Sequence, residues 1–150
     1  MRLRDFLDPT ATRFDLAGPT REDVLSEVVG LLRLNEKSAE TVVRQLLRRE
    51  AMGSTGFGSG VAIPHCRTLA VSRLRVAFGR HPTGVDWAAS DGKPVHGLFL
   101  IVAPPMEVSQ QYLPVLGKIA QFLHEGDVAA KLRGMESPEE LFALLDQKGI

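Results

Sequence analysis

The sequence predicts an α/β (α+β) domain, a single sheet with helices on its faces. Three observations carry that reading. Stretches of helical periodicity alternate with short segments of strand character. The run from Val95 to Val102 is nearly all apolar, which suits a central strand buried on both sides. No linker, repeat or low-complexity tract interrupts the 150 residues, a length that fits one compact domain over residues 1–150.

The elements follow in order. Between the turn signals Asp8-Pro9 and Gly18-Pro19, the alternating Thr12, Phe14 and Leu16 suggest a short strand. Thr20 then precedes Val24, Leu25, Val28, Val29, Leu31 and Leu32, which line one face of a helix. Thr20 is its expected N-cap, and Glu22 and Asp23 fall in the first turn, where the helix dipole favours acids. A second helix, from about Ser38 to Glu50, is expected to bury Val42, Val43, Leu46 and Leu47 and to end on Arg48 and Arg49. Residues 53–60 form a glycine-dense loop, and Val61-Ala62-Ile63 a short strand stopped by Pro64. Leu74 to Phe78 alternates as a strand, and Asp91-Gly92 gives a hairpin signal before the apolar run. Helical periodicity returns over 108–124 through Leu113, Leu116, Ile119, Ala120 and Leu123. Ser137-Pro138-Glu139-Glu140 combines a capping box with proline at the first helical position, opening a final helix to about Gln147.

Composition narrows the function. Eighteen basic residues balance eighteen acidic ones, so no global field draws the chain to nucleic acid or an anionic membrane. Recognition therefore depends on local patches. The single cysteine, Cys66, rules out an internal disulfide and suits a reducing compartment. The opening Met1-Arg2-Leu3-Arg4-Asp5 places charge where a secretory signal needs an apolar run. The longest apolar run, Leu98 to Ala103, falls far short of the roughly 20 residues that span a bilayer. A cytoplasmic location is expected, without direct membrane insertion.

The chemistry concentrates in Arg49-Glu50-Ala51-Met52-Gly53-Ser54-Thr55-Gly56-Phe57-Gly58-Ser59-Gly60-Val61-Ala62-Ile63-Pro64-His65. Four glycines and three hydroxyl residues lie within residues 53–60, so the backbone can approach a ligand closely, and successive N–H groups can form an anion-binding concavity. Gly53, Ser54, Thr55, Gly56, Gly58, Ser59 and Gly60 are the candidate phosphoryl loop; the bland alternative is a tight connector. Two nucleotide patterns fail. A P-loop needs Lys and Ser/Thr after its last glycine, where Val61 stands, and G-x-G-x-x-G finds no register.

His65 follows this loop and a proline. Imidazole, with an ordinary pKa of roughly 6.5, is a competent neutral nucleophile at pH 7. Phosphoryl transfer mainly asks a protein to position groups and stabilise charge, and Arg49 offers paired planar donors for phosphoryl oxygens. His81, His96 and His124 are read as structural histidines. Cys66 has no second cysteine to complete a metal or redox site, so no metal and no cofactor are expected.

On these residues the sequence resembles the phosphotransferase-system enzyme IIA family of the fructose–mannitol type (type 2), which includes nitrogen-regulatory members. The stretch from Arg49-Glu50 through Gly53–His65 is similar to its signature almost position by position, and Asp91-Gly92-Lys93-Pro94-Val95 with the following strand extends the likeness. The resemblance implies a mixed five-stranded sheet with helices on both faces. It implies that His65 accepts a phosphoryl group from HPr or its nitrogen-branch relative, and that Arg49 helps to hold it. In sugar-transporting members the next acceptor is a IIB cysteine; nitrogen-branch members regulate other proteins by phosphorylation state. Two positions depart from the pattern. Tyr112 stands where members commonly carry a second active-site histidine, and Cys66 stands where glycine often follows the active histidine. A phenol donates one hydrogen bond but cannot become cationic. Onward transfer and a switch in partner affinity are therefore both open outputs. A metal- or nucleotide-binding enzyme using His65 and Cys66 is a third class, which no ligand cluster or fingerprint supports.

Overall fold

The computed structural model describes residues 2–150; Met1, part of the charged opening run, lies outside them. A 3₁₀ turn (Leu3–Asp5) leads into strand β1 (Leu7–Arg13), helices α1 (Arg21–Gly30) and α2 (Glu36–Ala51), and the short strands β2 (Gly56–Gly58), β3 (Val61–Ala62) and β4 (His65–Arg67). The long strands β5 (Arg75–Val85) and β6 (Val95–Ala103) follow, then helices α3 (Tyr112–His124), α4 (Val128–Arg133) and α5 (Pro138–Lys148).

The strands make one mixed sheet in the order β1-β5-β6-β3-β2, with β4 also against β6. β1 runs parallel to β5, β5 antiparallel to β6, β3 and β4 parallel to β6, and β2 antiparallel to β3. Six strands replace the five implied by the resemblance because Pro64 divides one line of pairing. It has no N–H to give, yet its carbonyl still accepts from Ile101 N at 3.0 Å. Counted as one interrupted strand, β3 and β4 restore five.

All nine residues of β6 are buried, as its apolar run predicts for a strand covered on both faces. Side chains alternate across a strand, which assigns the helices to opposite faces. Around β5, Gly79 meets Leu16 and Val28 of the α1 side, whereas its neighbour Arg80 donates to the Arg133 carbonyl at the end of α4. Phe78, on the Arg80 side, packs on Phe99 at 4.9 Å between ring centroids, and Phe99 meets Phe122 of α3 edge-on. Burying each such side chain contributes about 1.5–3 kcal/mol.

Local signals place the helix starts. Thr20 accepts from Asp23 N, Asn35 from Ser38 N and Ser137 from Glu140 N, three side-chain N-caps. The second helix thus begins at Glu36 rather than near Ser38, because Asn35 is the cap. β1 lies earlier than the Thr12–Leu16 alternation, with Leu7 and Ala11 as its buried residues and a register shift between Leu7 and Thr12. In α3 the buried stripe is Tyr112, Val115, Ile119, Phe122 and Leu123, which leaves Leu113 66% exposed. The short α4 carries no sequence signal strong enough to be expected. His81 and His96 are buried, joined through His96 Nδ1 and the His81 carbonyl at 3.1 Å; exposed His124 packs against Phe57, the two rings tilted with centroids 4.5 Å apart.

Candidate functional site

His65 opens β4, paired with Ile101 of β6, and Cys66 pairs with Val102. Across β6 the same rows continue to Val76 and Arg75 of β5. His65 therefore shares the α3 face with Ile101 and Val76, while Cys66 shares the α1 face with Val102 and Arg75. The two neighbours in sequence are chemically separated. Burial pushes the Cys66 thiol up to about 12, so it stays protonated at neutral pH.

The half-buried His65 ring lies with Nδ1 2.6 Å from the Ile63 carbonyl oxygen. A carbonyl only accepts, so Nδ1 is the donor, and in the neutral ring the lone pair is on Nε2. Backbone two residues upstream thus selects the tautomer. The Tyr112 ring, at the start of α3, sits 6.4 Å from the His65 ring between centroids. Over Tyr112, at 4.3 Å, lies the Arg67 guanidinium, which also donates to the Pro104 carbonyl at 3.4 Å. Burial pushes the Tyr112 phenol up to about 12, with the charges of Arg67 and Arg49 opposing the rise. Tyr112 is a neutral donor at physiological pH. Arg49, in the last turn of α2, donates Nη1 to the Gly53 carbonyl at 2.8 Å. The structure therefore gathers His65, Tyr112 and Arg67, with Arg49 near enough for its charge to act on the Tyr112 phenol.

Arg67 is a residue that sequence reasoning missed. The available signal was its spacing: two residues beyond His65 in a strand, it must face the same way.

The glycine-dense loop folds as the β2–β3 hairpin, with Gly58, Ser59 and Gly60 all at positive φ. Its donors are largely engaged. Thr55 N donates to Glu50 Oε2 at 2.8 Å, Gly56 N to Ser54 Oγ at 3.0 Å and Ser59 N to Asp91 Oδ2 at 3.1 Å. Ser54 Oγ donates onward to the Trp87 carbonyl at 2.9 Å, and the Gly60 carbonyl accepts from His96 N at 2.8 Å. At Thr55, Gly56 and Ser59 the expected amide cradle is thus a brace, closed by side-chain oxygens. Gly53 lies at its mouth, held through Arg49.

Glu50 anchors the brace. It is 4% exposed, and its carboxylate accepts from Thr55 N, Thr55 Oγ1 and the Trp87 indole, with Arg21 Nη1 at 3.9 Å. Its signal was an acid in register with Val42 and Leu46, four residues apart on the buried face of α2. A charge at such a core position needs several donors to be tolerated.

Comparison with known proteins agrees with this architecture. The family model described as "Phosphoenolpyruvate-dependent sugar phosphotransferase system, EIIA 2" matches residues 5–148, and the chain belongs to that family. It is a type 2 IIA component of the phosphotransferase system. A nitrogen regulatory protein of Pseudomonas aeruginosa is 34% identical over 147 residues, covering 97% of this chain and 95% of that one. A fructose-specific EIIA component of Haloferax volcanii is 36% identical over 118 residues, covering 79% and 75%. The crystal structure of nitrogen regulatory protein IIA-Ntr from Neisseria meningitidis superposes with a TM-score of 0.83 at 32% identity, covering 94% of this chain and 97% of that one. No helix among the described residues is long and apolar enough to cross a membrane.

Proposed function

We propose that residues 1–150 act as one cytoplasmic phosphocarrier domain in which His65 Nε2 accepts a phosphoryl group from an HPr-like protein. One observation carries the assignment: the Ile63 carbonyl holds a proton on His65 Nδ1, so that in the neutral ring Nε2 bears the attacking lone pair. Attack on the donor's phosphohistidine forms the new N–P bond as the old one breaks, and the donor imidazole leaves with the electron pair. The proton on Nδ1 stays hydrogen-bonded to Ile63 as positive charge develops on the ring. No metal or cofactor enters this step.

Arg49 and Arg67 supply the positive charge that the phosphoryl oxygens require. Tyr112 contributes a neutral phenol where a second histidine would contribute a cation. The hairpin from Gly53 to Gly60, with Ser54, Thr55, Gly56, Gly58 and Ser59, positions His65 through its brace rather than wrapping the anion. Beside Tyr112 and Arg67 lies an open hollow of about 590 Å³, ringed by Met106, Val108 and Leu113, which are 88%, 98% and 66% exposed. An exposed apolar rim around the Tyr112 and Arg67 that neighbour His65 suits transient docking of the donor and then of a IIB acceptor or regulatory target.

Tyr112 favours a second output, in which the phosphoryl group chiefly alters partner affinity. It adds roughly two negative charges to a neutral chain, and the nitrogen-regulatory relatives fit this branch. The test is incubation with phosphoenolpyruvate, enzyme I and several HPr-like donors, followed by mass mapping at neutral pH. A phosphoryl adduct on His65, lost in His65→Ala, is expected; an adduct that survives this substitution overturns the assignment. Binding of IIB and of captured partners to each phosphorylation state then separates transport from regulation.

A further inference from the structure

On the other face of the sheet, away from His65, the start of β5, the edge of β1 and the chain leaving α1 enclose a polar hollow of about 230 Å³. Arg4, Arg33, Arg73 and Arg75 line it, together with Asp5 and Asp8. In a chain with no net charge, four guanidiniums around one small space are a strong local concentration.

The surrounding acids do not pair with most of these cations. Asp5 is occupied with Arg2 N, and Asp8 accepts from Thr10 N and Thr10 Oγ1 while its charge also acts on Arg33 and Arg75. Arg4 is bound at 2.7 Å by Asp146. Among the described residues, Arg33, Arg73 and Arg75 form no salt bridge, and the side chains of Arg33 and Arg73 make no hydrogen bond. Half-buried Arg75 donates one N–H to the Leu32 carbonyl at 3.0 Å, which fixes its direction and leaves donors to spare. Burial and the nearby Arg73 lower its proton affinity and Asp8 opposes them in part, so a further anion beside Arg73 would relieve the remaining repulsion.

The backbone gives an independent indication. Arg33 sits at φ 56°, just beyond the end of α1, in the left-handed conformation that helix ends usually give to glycine. A ligand that drew Arg33 toward the two neighbouring cations would offset the cost of this conformation.

We propose that this hollow binds a small phosphate-bearing anion between Arg33, Arg73 and Arg75. Guanidinium forks match phosphate oxygens in pairs. The volume is several times the ~30 Å³ share of a liquid water yet below the ~300 Å³ at which drug-sized pockets begin. It admits inorganic phosphate or a short phosphomonoester. The site does not depend on the role of His65, from which it is separated by the sheet.

The test is a titration of His65→Ala protein, so that binding at His65 cannot contribute. Inorganic phosphate and glycerol 3-phosphate are added at constant ionic strength and followed by ¹⁵N shifts and thermal melting. Saturable shifts at Arg33, Arg73 and Arg75, with a rise in Tm, are expected. Tighter binding of the ester would identify a phosphomonoester site, and equal binding a phosphate site. R73Q/R75Q should weaken binding at least tenfold. R33G should raise the ligand-free Tm by relieving strain while weakening binding severalfold, a pairing that a purely structural arginine would not give. Linear shifts matching those in sodium chloride, or saturable binding that survives both R33G and the exposed-site variant R73Q, would overturn the proposal.

Discussion

The indole N–H of Trp87 donates to Glu50 Oε1 at 3.2 Å, linking the loop after β5 to the C-terminal turn of α2. The same carboxylate holds Thr55, so a single buried acid sets the hairpin that leads to His65.

Glu50→Gln keeps the shape but turns one acceptor into a donor facing donors. It is expected to destabilise the fold by about 1–3 kcal/mol, a Tm fall of roughly 4–8 °C near the middle of that range for a chain of this size. Thermal melting with Trp87 fluorescence measures it; an unchanged Tm would show that the network carries no weight.

Gly56 admits no side chain. A Cβ there would lie 2.9 Å from Ala89 Cα and 2.6 Å from Ala89 Cβ, so Gly56→Ala must displace the loop after β5, at about 1–3 kcal/mol. Gly117, inside α3, has nothing within 4 Å of such a Cβ, and Gly117→Ala should instead stabilise by about 0.5–1 kcal/mol. Urea unfolding of the pair checks the opposite signs.

Cys66 should resist alkylation. With its thiol near 12 rather than the ordinary value of roughly 8.5, its thiolate fraction at pH 8 falls about a thousandfold. Iodoacetamide labelling should be slow in native protein and rapid in urea; equal rates would show an open thiol.

Tyr112→Phe should leave stability within about 0.5 kcal/mol, since the phenol has no hydrogen-bond partner among the described residues. Uptake on His65 should persist with no titration step between pH 8 and 10. Tyr112→His should give the phosphorylated protein a new pH dependence, around the ordinary imidazole value of roughly 6.5. Dephosphorylation rates from pH 5.5 to 8 read this out, and a flat profile in the histidine variant would remove Tyr112 from the site.

Asp127 gives an acid-side prediction. Lys131 and Lys148, each 2.9 Å from one carboxylate oxygen, hold it well below the usual carboxylate range. A lowered native value means that the unfolded chain binds the proton more readily, so the contribution is present above about pH 4 and declines as pH falls further. The stability difference between wild type and Asp127→Asn should therefore be larger at pH 7 than at pH 3. Urea midpoints at the two pH values measure it, and a pH-independent difference would exclude the linkage.

Local chemistry made much of this protein legible from its residues. The N-caps at Thr20 and Ser137, the apolar strand at 95–103 and the position of His65 after Pro64 depend on neighbours within a few residues, which the sequence displays directly. The family resemblance rests on the same short range.

Tertiary structure decided what depends on partners distant in the chain. The brace joins Glu50 and Thr55 to Trp87, and Ser59 to Asp91, across more than thirty residues. The parity of β4 against β6 turns His65 and Arg67 toward Tyr112 and Cys66 away, and α3 rotates Leu113 outward. Periodicity shows that a face is apolar but not which neighbour will cover it, and a polar side chain's role follows from the donor that folding brings to it.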